Sequence, residues 1–229
     1  MKNPIIVALD FPDMSKAKEC IDLLLDKIEI FKVGLELFLN TGGEILDYLR
    51  SKNKKVFLDL KFHDIPNTVL NAAKFALSKD LFMFNVHTSG GYQMMKAVAK
   101  EAEGKNSLVI GVTLLTSLDQ DDISQMFGTE KKLSEVVFNL AKMLKKAGLD
   151  GVVCSAKEAK MLKEKLGNDF ITVCPGIRPK GDERGDQKRV VTPAWAVKNG
   201  VDYMVIGRPI TKAKDPVLVV EKILKEINQ

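Results

Sequence analysis

Eight short apolar runs, rich in β-branched residues, recur along the chain, and segments with apolar residues three and four positions apart separate them. A strand buried on both faces has the first pattern, and a helix that packs with one face has the second. The runs are residues 5–10, 30–35, 55–61, 83–88, 107–115, 151–155, 170–177 and 203–208. Helical segments include 17–28 and 133–148, and the second ends in lysines and Gly148, a usual helix stop.

Eight strands that alternate with helices predict an α/β protein, and the closed (β/α)8 TIM barrel fits this number of repeats in this length. No segment rich in Pro, Gly or Ser divides the chain, so residues 1–229 are predicted to form a single domain. An open, doubly wound sheet is the alternative, because periodicity does not reveal whether the sheet closes on itself.

Composition argues against several classes of function. Apolar residues make up 45% of the chain and charged residues 28%, which is typical of a globular protein with a sizeable core. The net charge of +5 is spread over many lysines without a basic stripe interleaved with aromatic residues, so we expect no nucleic-acid partner. No run approaches the roughly 18 apolar residues of a membrane span, so we expect no membrane partner.

The cysteines and the N-terminus indicate the compartment. Cys20, Cys154 and Cys174 are odd in number, far apart and outside any CxxC pair, which predicts buried, reduced thiols. The apolar run near the N-terminus is too short for a signal peptide. We therefore expect a cytoplasmic protein.

Charged residues interrupt the apolar runs near their ends, where a barrel of this class gathers its active site. In LDLKFHDIPNTV, residues 58–69, Asp59 and Lys61 are two apart, so both side chains point to one face of the strand. Asp10 and Lys32 end the first two strands, so two acids and two bases could alternate across the mouth. A lysine between carboxylates keeps its ammonium form and can donate a proton. The alternative is a salt-bridged rim, and spacing does not say where Asp64 points.

The two histidines, His63 and His87, are not part of an HxH or HExxH pattern. This argues against a transition-metal site. We expect both rings to be packed and hydrogen-bonded locally, and we predict no metal.

A phosphate site is predicted at the ends of the last two strands. Gly207 permits close approach of the backbone, Arg208 offers a charge-assisted hydrogen bond, and Thr211 is a candidate cap for a following helix. The glycine-punctuated, charged segment 174–189 follows the seventh strand. It is either a lid that closes over an anion or a solvated loop.

Taken together, these motifs resemble the orotidine 5′-phosphate decarboxylase family, and the resemblance covers essentially the whole chain. The pattern LDLKxHDIPNTV is intact at 58–69 and is highly specific. The other blocks are in the family's order: ALD (8–10), KVGLELF (32–38), VTLLTS (112–117), DGVVCS (150–155), PGIR (175–178), DQ (186–187) and IGRPIT (206–211).

The resemblance implies conversion of orotidine 5′-monophosphate to uridine 5′-monophosphate and CO2, the last step of de novo UMP synthesis, without a cofactor. It implies that Lys61 is the proton donor, that Asp59 lies beside the substrate carboxylate, and that Lys32 completes the charged array. The remaining implied binding residues are Asp10 and Lys32 for the ribose, Thr116 and Ser117 for the pyrimidine, and Pro175, Arg178, Gln187, Gly207 and Arg208 around the phosphate.

The resemblance also implies a homodimer with shared sites, in which Asp64 and Thr68 reach into the active site of the second subunit. Two alternatives differ in chemistry. A sister sugar-phosphate decarboxylase or hexulose-phosphate synthase would bind Mg²⁺ around an enediolate, and the HDIPNTV continuation and the DQ pair argue against it. A non-catalytic phosphate-binding barrel would require a gap among Asp59, Lys61, Asp64 and Arg208, and there is none.

Overall fold

Eight parallel strands close into a barrel in the order β1 to β8, in a computed structural model that describes residues 3–180 and 189–228. The strands are β1 (Ile5–Ala8), β2 (Ile30–Gly34), β3 (Lys55–Phe62), β4 (Met83–His87), β5 (Leu108–Val112), β6 (Gly151–Val153), β7 (Ile171–Cys174) and β8 (Tyr203–Ile206). The ring closes because β1 pairs with β8, with Ile5 opposite Met204. The predicted TIM barrel is therefore confirmed, and the open sheet is wrong.

Helices follow each strand on the outside of the barrel. They are α1 (Met14–Leu23), α2 (Leu35–Thr41), α3 (Glu44–Ser51), α4 (Pro66–Ser78), α5 (Tyr92–Ala102), α6 (Gln120–Phe127), α7 (Leu133–Ala147), α8 (Ala156–Leu166), α9 (Pro193–Lys198), α10 (Arg208–Thr211) and α11 (Pro216–Ile227). No helix in the described ranges is long and apolar enough to cross a membrane.

The sequence itself marks where these helices begin and end. Proline occupies the first turn of α4, α9 and α11, where its missing N–H costs nothing. The side chain of Asp13 caps α1 by accepting a hydrogen bond from the Lys16 N–H. Gly148 ends α7 in the left-handed conformation, as predicted.

Several of the sequence-based boundaries were wrong. Helix α1 starts at Met14 instead of residue 17, because Asp13 caps it, and it ends at Leu23 instead of continuing to residue 28. The later strands are shorter than the apolar runs at their C-terminal ends, because the chain leaves the ladder there to form the loops of the mouth.

Alternation along the strands sorts side chains into two cores. Inward-pointing residues fill the barrel, namely Ile6, Ala8, Ile30, Phe57, Met83, Ile110, Val173, Tyr203 and Val205. Outward-pointing residues such as Val7, Leu58 and Phe84 pack against the helices in the larger cluster. Leu58 and Leu60 face the helices, so the same period of two places Asp59 and Lys61 on the inner face.

Gly151 permits a close approach of β6 to β7. A Cβ at this position would lie 2.2 Å from the carbonyl oxygen of Ile171 and 2.7 Å from its Cβ. The position therefore excludes any side chain unless the two strands separate.

We expect Gly151→Ala to lower the free energy of unfolding by about 3 kcal/mol, because backbone atoms of β7 cannot turn away as a flexible side chain can. Urea-induced unfolding measures the loss. Gly90→Ala is the matched control, since its new Cβ would approach within 3 Å only of the flexible end of Met94. Equal losses in the two variants would contradict this account.

Candidate active site

A cavity of about 490 Å³ opens at the C-terminal ends of the strands. Its floor is apolar and comes from inward-pointing residues such as Phe57, Val153 and Val205. The rim contains ten of the residues that the sequence singled out: Asp10, Lys32, Asp59, Lys61, Thr116, Ser117, Pro175, Arg178, Gly207 and Arg208. The polar residues of six different strand ends therefore converge on one pocket.

Four charges alternate across one side of this mouth. The Nζ atom of Lys32 lies 3.1 Å from Asp10 Oδ1 and 3.4 Å from Asp59 Oδ2. The Nζ atom of Lys61 lies 2.7 Å from Asp59 Oδ1. Asp10, Lys32, Asp59 and Lys61 thus form a continuous chain of ion pairs from β1 to β3.

Burial differs along this chain and sets its electrostatics. The side chains of Lys32 and Asp59 are 9% and 14% exposed, whereas those of Lys61 and Asp10 are 33% and 57% exposed. Burial of Lys32 favours its neutral form, but the carboxylates of Asp59 and Asp10 more than offset this effect and raise its pKa above the ordinary value. Lys32 is therefore a fixed cation inside the rim, while the Lys61 ammonium reaches the cavity.

The end of β3 departs from regular strand geometry. The register with β4 shifts between Leu58 and Phe62, and Lys61 has a φ of +50°. A non-glycine residue in this left-handed region costs about 1–3 kcal/mol and persists only where its surroundings fix it, and such strain concentrates at functional sites. Its N–H donates a 2.8 Å hydrogen bond to Oδ1 of the buried Asn85.

Two residues at the site were missed by sequence reasoning. Asn85 lies on β4, is 1% exposed and donates from Nδ2 to Asp59 Oδ1 over 2.7 Å. A polar residue on an inward position of an apolar strand is the signal that could have found it. Lys212 lines the cavity four residues after Arg208, and nothing in its local pattern distinguishes it from the many surface lysines.

The predicted phosphate end lies across the cavity from Lys61's strand, at the ends of β7 and β8. Gly207 lies beside β1, where an added Cβ would make ordinary van der Waals contacts, 3.4 Å from Ala8 Cβ and 3.5 Å from Asp10 Oδ2. Arg208 begins the short helix α10. The assignment of Thr211 as a cap was wrong, because it is the last residue of α10, and Asp215 caps the following helix.

Hydrogen bonds and an ion pair hold the described ends of segment 174–189, whereas residues 181–188 lie outside the described residues, so the choice between a lid and a solvated loop stays a prediction. Arg178 donates its N–H to the Val191 carbonyl, and Val191 donates to the carbonyl of Gly176. Arg189 forms an ion pair with the buried Glu158, the residue that completes the cap of α8. Gln187 lies outside the described residues, so its predicted phosphate contact stays a prediction.

Asp64 and Thr68 do not line the cavity of their own chain. Both are exposed, and the Asp64 carboxylate accepts a hydrogen bond from the Ile65 N–H. Ile65, the residue after Asp64, is 67% exposed, and Leu35 and Leu39 of α2 are 55% and 72% exposed.

The histidines and cysteines are placed as the sequence indicated. His63 and His87 stack with ring centroids 5.2 Å apart, and the Ser89 hydroxyl lies 2.6 Å from His87 Nδ1. Cys20, Cys154 and Cys174 are free and buried. Among residues 3–180 and 189–228, no three His, Cys, Asp or Glu side chains form a group that could hold a metal ion.

The chain is similar to known proteins both in sequence and in fold. The model of the orotidine 5′-phosphate decarboxylase / HUMPS family matches residues 3–223. An orotidine 5′-phosphate decarboxylase of Psychromonas ingrahamii is 49% identical over 227 residues, covering 98% of this chain and 95% of that protein. One from Marinomonas sp. is 48% identical over 221 residues, covering 95% and 94%. The crystal structure of the Lactobacillus acidophilus orotidine 5′-phosphate decarboxylase has a TM-score of 0.85 at 38% identity and covers both chains completely.

We expect Lys32→Met to lower the free energy of unfolding by about 3 kcal/mol at neutral pH, because Asp10 loses its ion pair and the buried Asp59 carboxylate keeps only Lys61 of its two cations. The raised pKa of Lys32 fixes the sign of the pH dependence. The contribution is complete below the unfolded pKa of about 10.4 and is lost only as the pH rises through the higher folded value.

Urea unfolding of wild type and variant from neutral to alkaline pH measures this difference. Lys55→Met is the control, since Lys55 pairs with Glu29 at the surface over 3.4 Å and should lose less than about 1 kcal/mol. A wild-type advantage over Lys32→Met that already shrinks well below pH of about 10 would contradict the assignment.

Proposed function

The chain belongs to the orotidine 5′-phosphate decarboxylase / HUMPS family, and we propose that it converts orotidine 5′-monophosphate to uridine 5′-monophosphate and CO2. This carboxy-lyase reaction is the last step of de novo UMP synthesis. The observation that carries the proposal is the alternating array Asp10–Lys32–Asp59–Lys61 in a cavity whose opposite side presents Arg178 and Arg208. One part of the cavity suits the reacting carboxylate, and the other suits a phosphate.

Lys61 is the proton donor in this proposal. When the bond to the departing carboxylate breaks, its electron pair stays on an sp² ring carbon that has no conventional electron sink. A fixed ammonium group favours this developing charge electrostatically and then transfers a proton to the carbon. Because the Lys61 side chain is 33% exposed, water can return the proton to the amine afterwards.

Asp59 faces the substrate carboxylate in this proposal. Two like charges about 3 Å apart repel by roughly 5 kcal/mol at an effective dielectric of about 20. Binding of the remote phosphate can offset this repulsion in the complex, and loss of neutral CO2 relieves it. The interaction with Lys61 grows as charge builds on the carbon, so we assign the larger share of the rate acceleration to the cation.

The rest of the cavity binds the nucleotide. Lys32 and Asp10 would hold the ribose, because they form the rim next to Asp59. Thr116 and Ser117 follow β5 and would contact the pyrimidine, while Pro175, Arg178, Gly207, Arg208 and Gln187 would surround the phosphate. Two guanidinium groups and the backbone at Gly207 suit an anion with several oxygen acceptors.

The active unit in this proposal is a homodimer with shared sites. Asp64 and Thr68 are exposed after the end of β3, and the exposed apolar side chains of Leu35, Leu39 and Ile65 would form part of the interface. Burial of such a surface against a second copy would bring Asp64 beside Lys61 of that copy. Residues 1–229 would form one domain of this dimer.

A Mg²⁺-dependent sugar-phosphate enzyme is the second candidate function, because the matching family is named for HUMPS as well as for orotidine 5′-phosphate decarboxylase. Two features favour the decarboxylase. The curated relatives at 48% and 49% identity are orotidine 5′-phosphate decarboxylases. The residues that continue the charged strand, HDIPNTV, also follow that family's pattern. The reaction would then need neither metal nor organic cofactor, and the free cysteines favour a cytoplasmic location.

We expect the purified protein to consume orotidine 5′-monophosphate in the presence of EDTA, which the change in ultraviolet absorbance measures. Lys61→Ala should lower kcat by at least about 1,000-fold, because it removes both the cation and the proton. Lys105→Ala, an exposed lysine remote from the cavity, is the control and should retain wild-type activity. Loss of wild-type activity on chelation would favour the Mg²⁺ chemistry, and a Lys61→Ala variant within tenfold of wild type would remove Lys61 from its role.

Shared sites predict that two inactive variants restore each other. In a dimer of one Lys61→Ala chain and one Asp64→Ala chain, one site would keep both residues and the other would lack both. We expect such heterodimers, purified with two different tags, to have about half of the wild-type activity.

The control heterodimer combines Lys61→Ala with Asp59→Ala, two residues that the proposal assigns to the same chain. Each of its sites lacks one of them, so it should stay inactive. Equal activity of the two heterodimers would show that Asp64 does not cross the interface.

A further inference from the structure

A three-to-one mismatch between β3 and β4 lies directly behind the charged array. Leu58 pairs with Phe84 and Phe62 pairs with Val86, so Asp59, Leu60 and Lys61 all face Asn85 alone. A ladder with this many extra residues loses backbone hydrogen bonds locally. Some other group has to satisfy and orient the freed part of β3.

The side chain of Asn85 forms hydrogen bonds with two residues of the unpaired part of β3. Its Oδ1 atom accepts from the Lys61 N–H over 2.8 Å, and its Nδ2 atom donates to Asp59 Oδ1 over 2.7 Å. The same carboxylate oxygen accepts from Lys61 Nζ. One neutral amide thus contacts the backbone of one member of the array and the side chain of another.

Only a few side chains could make this pair of contacts. A side-chain amide is neutral, and its acceptor oxygen and donor nitrogen are bonded to the same carbon. A hydroxyl is too small to span both partners, and an ionised carboxylate would accept from Lys61 but repel Asp59. Asn85 is 1% exposed and does not line the cavity, so it has no direct access to a bound ligand.

We propose that Asn85 is the positioning residue that holds Lys61 in its left-handed backbone conformation and turns the Asp59 carboxylate toward both lysines. This inference rests on the proposed decarboxylation, in which these two groups meet the reacting carbon and the departing carboxylate. Asn85 acts through them, and it should therefore control turnover more than nucleotide binding.

The first test compares Asn85→Ala with wild type. We expect kcat to fall by about 100-fold. Without both contacts, the Asp59 carboxylate and the Lys61 ammonium can move away from the positions that the reaction needs. The dissociation constant of uridine 5′-monophosphate should change by less than about threefold, since the phosphate end is untouched.

Thr172→Val is the matched control for a lost buried polar group. Thr172 is fully buried at the other end of the barrel, and its hydroxyl donates to the carbonyl of Gly200 and to Asp202. Its kcat should stay within about threefold of wild type at a similar loss of thermal stability. A similar, small change of kcat in both variants would mean that Asn85 only stabilises the fold, and the inference would be overturned.

The second test uses Asn85→Asp, which keeps the shape of the side chain and makes its donor depend on pH. When protonated, the new carboxyl group accepts from Lys61 and donates to Asp59, as the amide does. When it is ionised, it faces Asp59 as a like charge. The two carboxyl groups should therefore share one proton and keep it to a higher pH than a single carboxyl group would, with a raised apparent pKa.

The charged groups around position 85 are Asp59 and Lys61 on β3, Lys32 beyond Asp59 on β2, and His87 two residues further along β4. The facing residue of β5, Ile110, is apolar. These groups are the same in wild type, so the ratio of kcat between Asn85→Asp and wild type isolates the new carboxyl group.

We expect this ratio to fall by at least tenfold from about pH 5 to about pH 9, as the shared proton is lost. A ratio that does not change with pH, or an Asn85→Asp chain that does not fold at any of these pH values, would overturn the inference. Wild-type protein that leaves orotidine 5′-monophosphate unchanged would instead refute the proposed function, and the positioning role would fail with it.

Discussion

The carboxylate of Asp59 is the contact on which the mouth of the barrel depends. Its two oxygens accept from Lys61 and Asn85 and face the buried ammonium of Lys32. Without this negative charge, two cations would share one poorly hydrated corner, and the lysine on β2 would tend to lose its proton. The same group that makes the cations tolerable in the free protein would lie against a like charge in the substrate complex. The negative charge of Asp59 therefore both stabilises the two lysines in the free protein and would repel the carboxylate of the bound substrate.

The two-layered core explains why such a cluster does not unfold the protein. The larger layer, between strands and helices, contains most of the buried apolar residues and depends on outward-pointing positions. The smaller layer fills the barrel below the mouth. Inward positions at the upper ends of the strands are left for polar groups, because neither layer needs them for packing. This separation allows several charged side chains to replace apolar ones on one strand face.

Much of this arrangement could be predicted from local patterns. Alternation on β3 correctly placed Asp59 and Lys61 on the inner face, and the repeat of strand and helix identified the barrel. Three features could not be read in this way. The N–H of Lys61, in its left-handed conformation, donates to a side chain of the next strand, Asn85, which is far away in sequence. The shortened strand ends depend on where loops leave the ladder. The direction of Asp64, which the proposed dimer assigns to a second copy of the chain, is a feature about which strand periodicity carries no information.

Closure of the barrel joins the first strand to the last, since β1 pairs with β8 and Gly207 lies against Ala8 and Asp10. A ribosome releases β1 long before β8. Until then, the growing sheet has two open edges with unpaired backbone groups, and the arginine and the aspartate on either side of the seam are far apart. Assembly of the pocket and pairing of the two open edges are consequently a single event that requires β8, so a chain that still lacks β8 cannot use ligand binding to protect itself from aggregation.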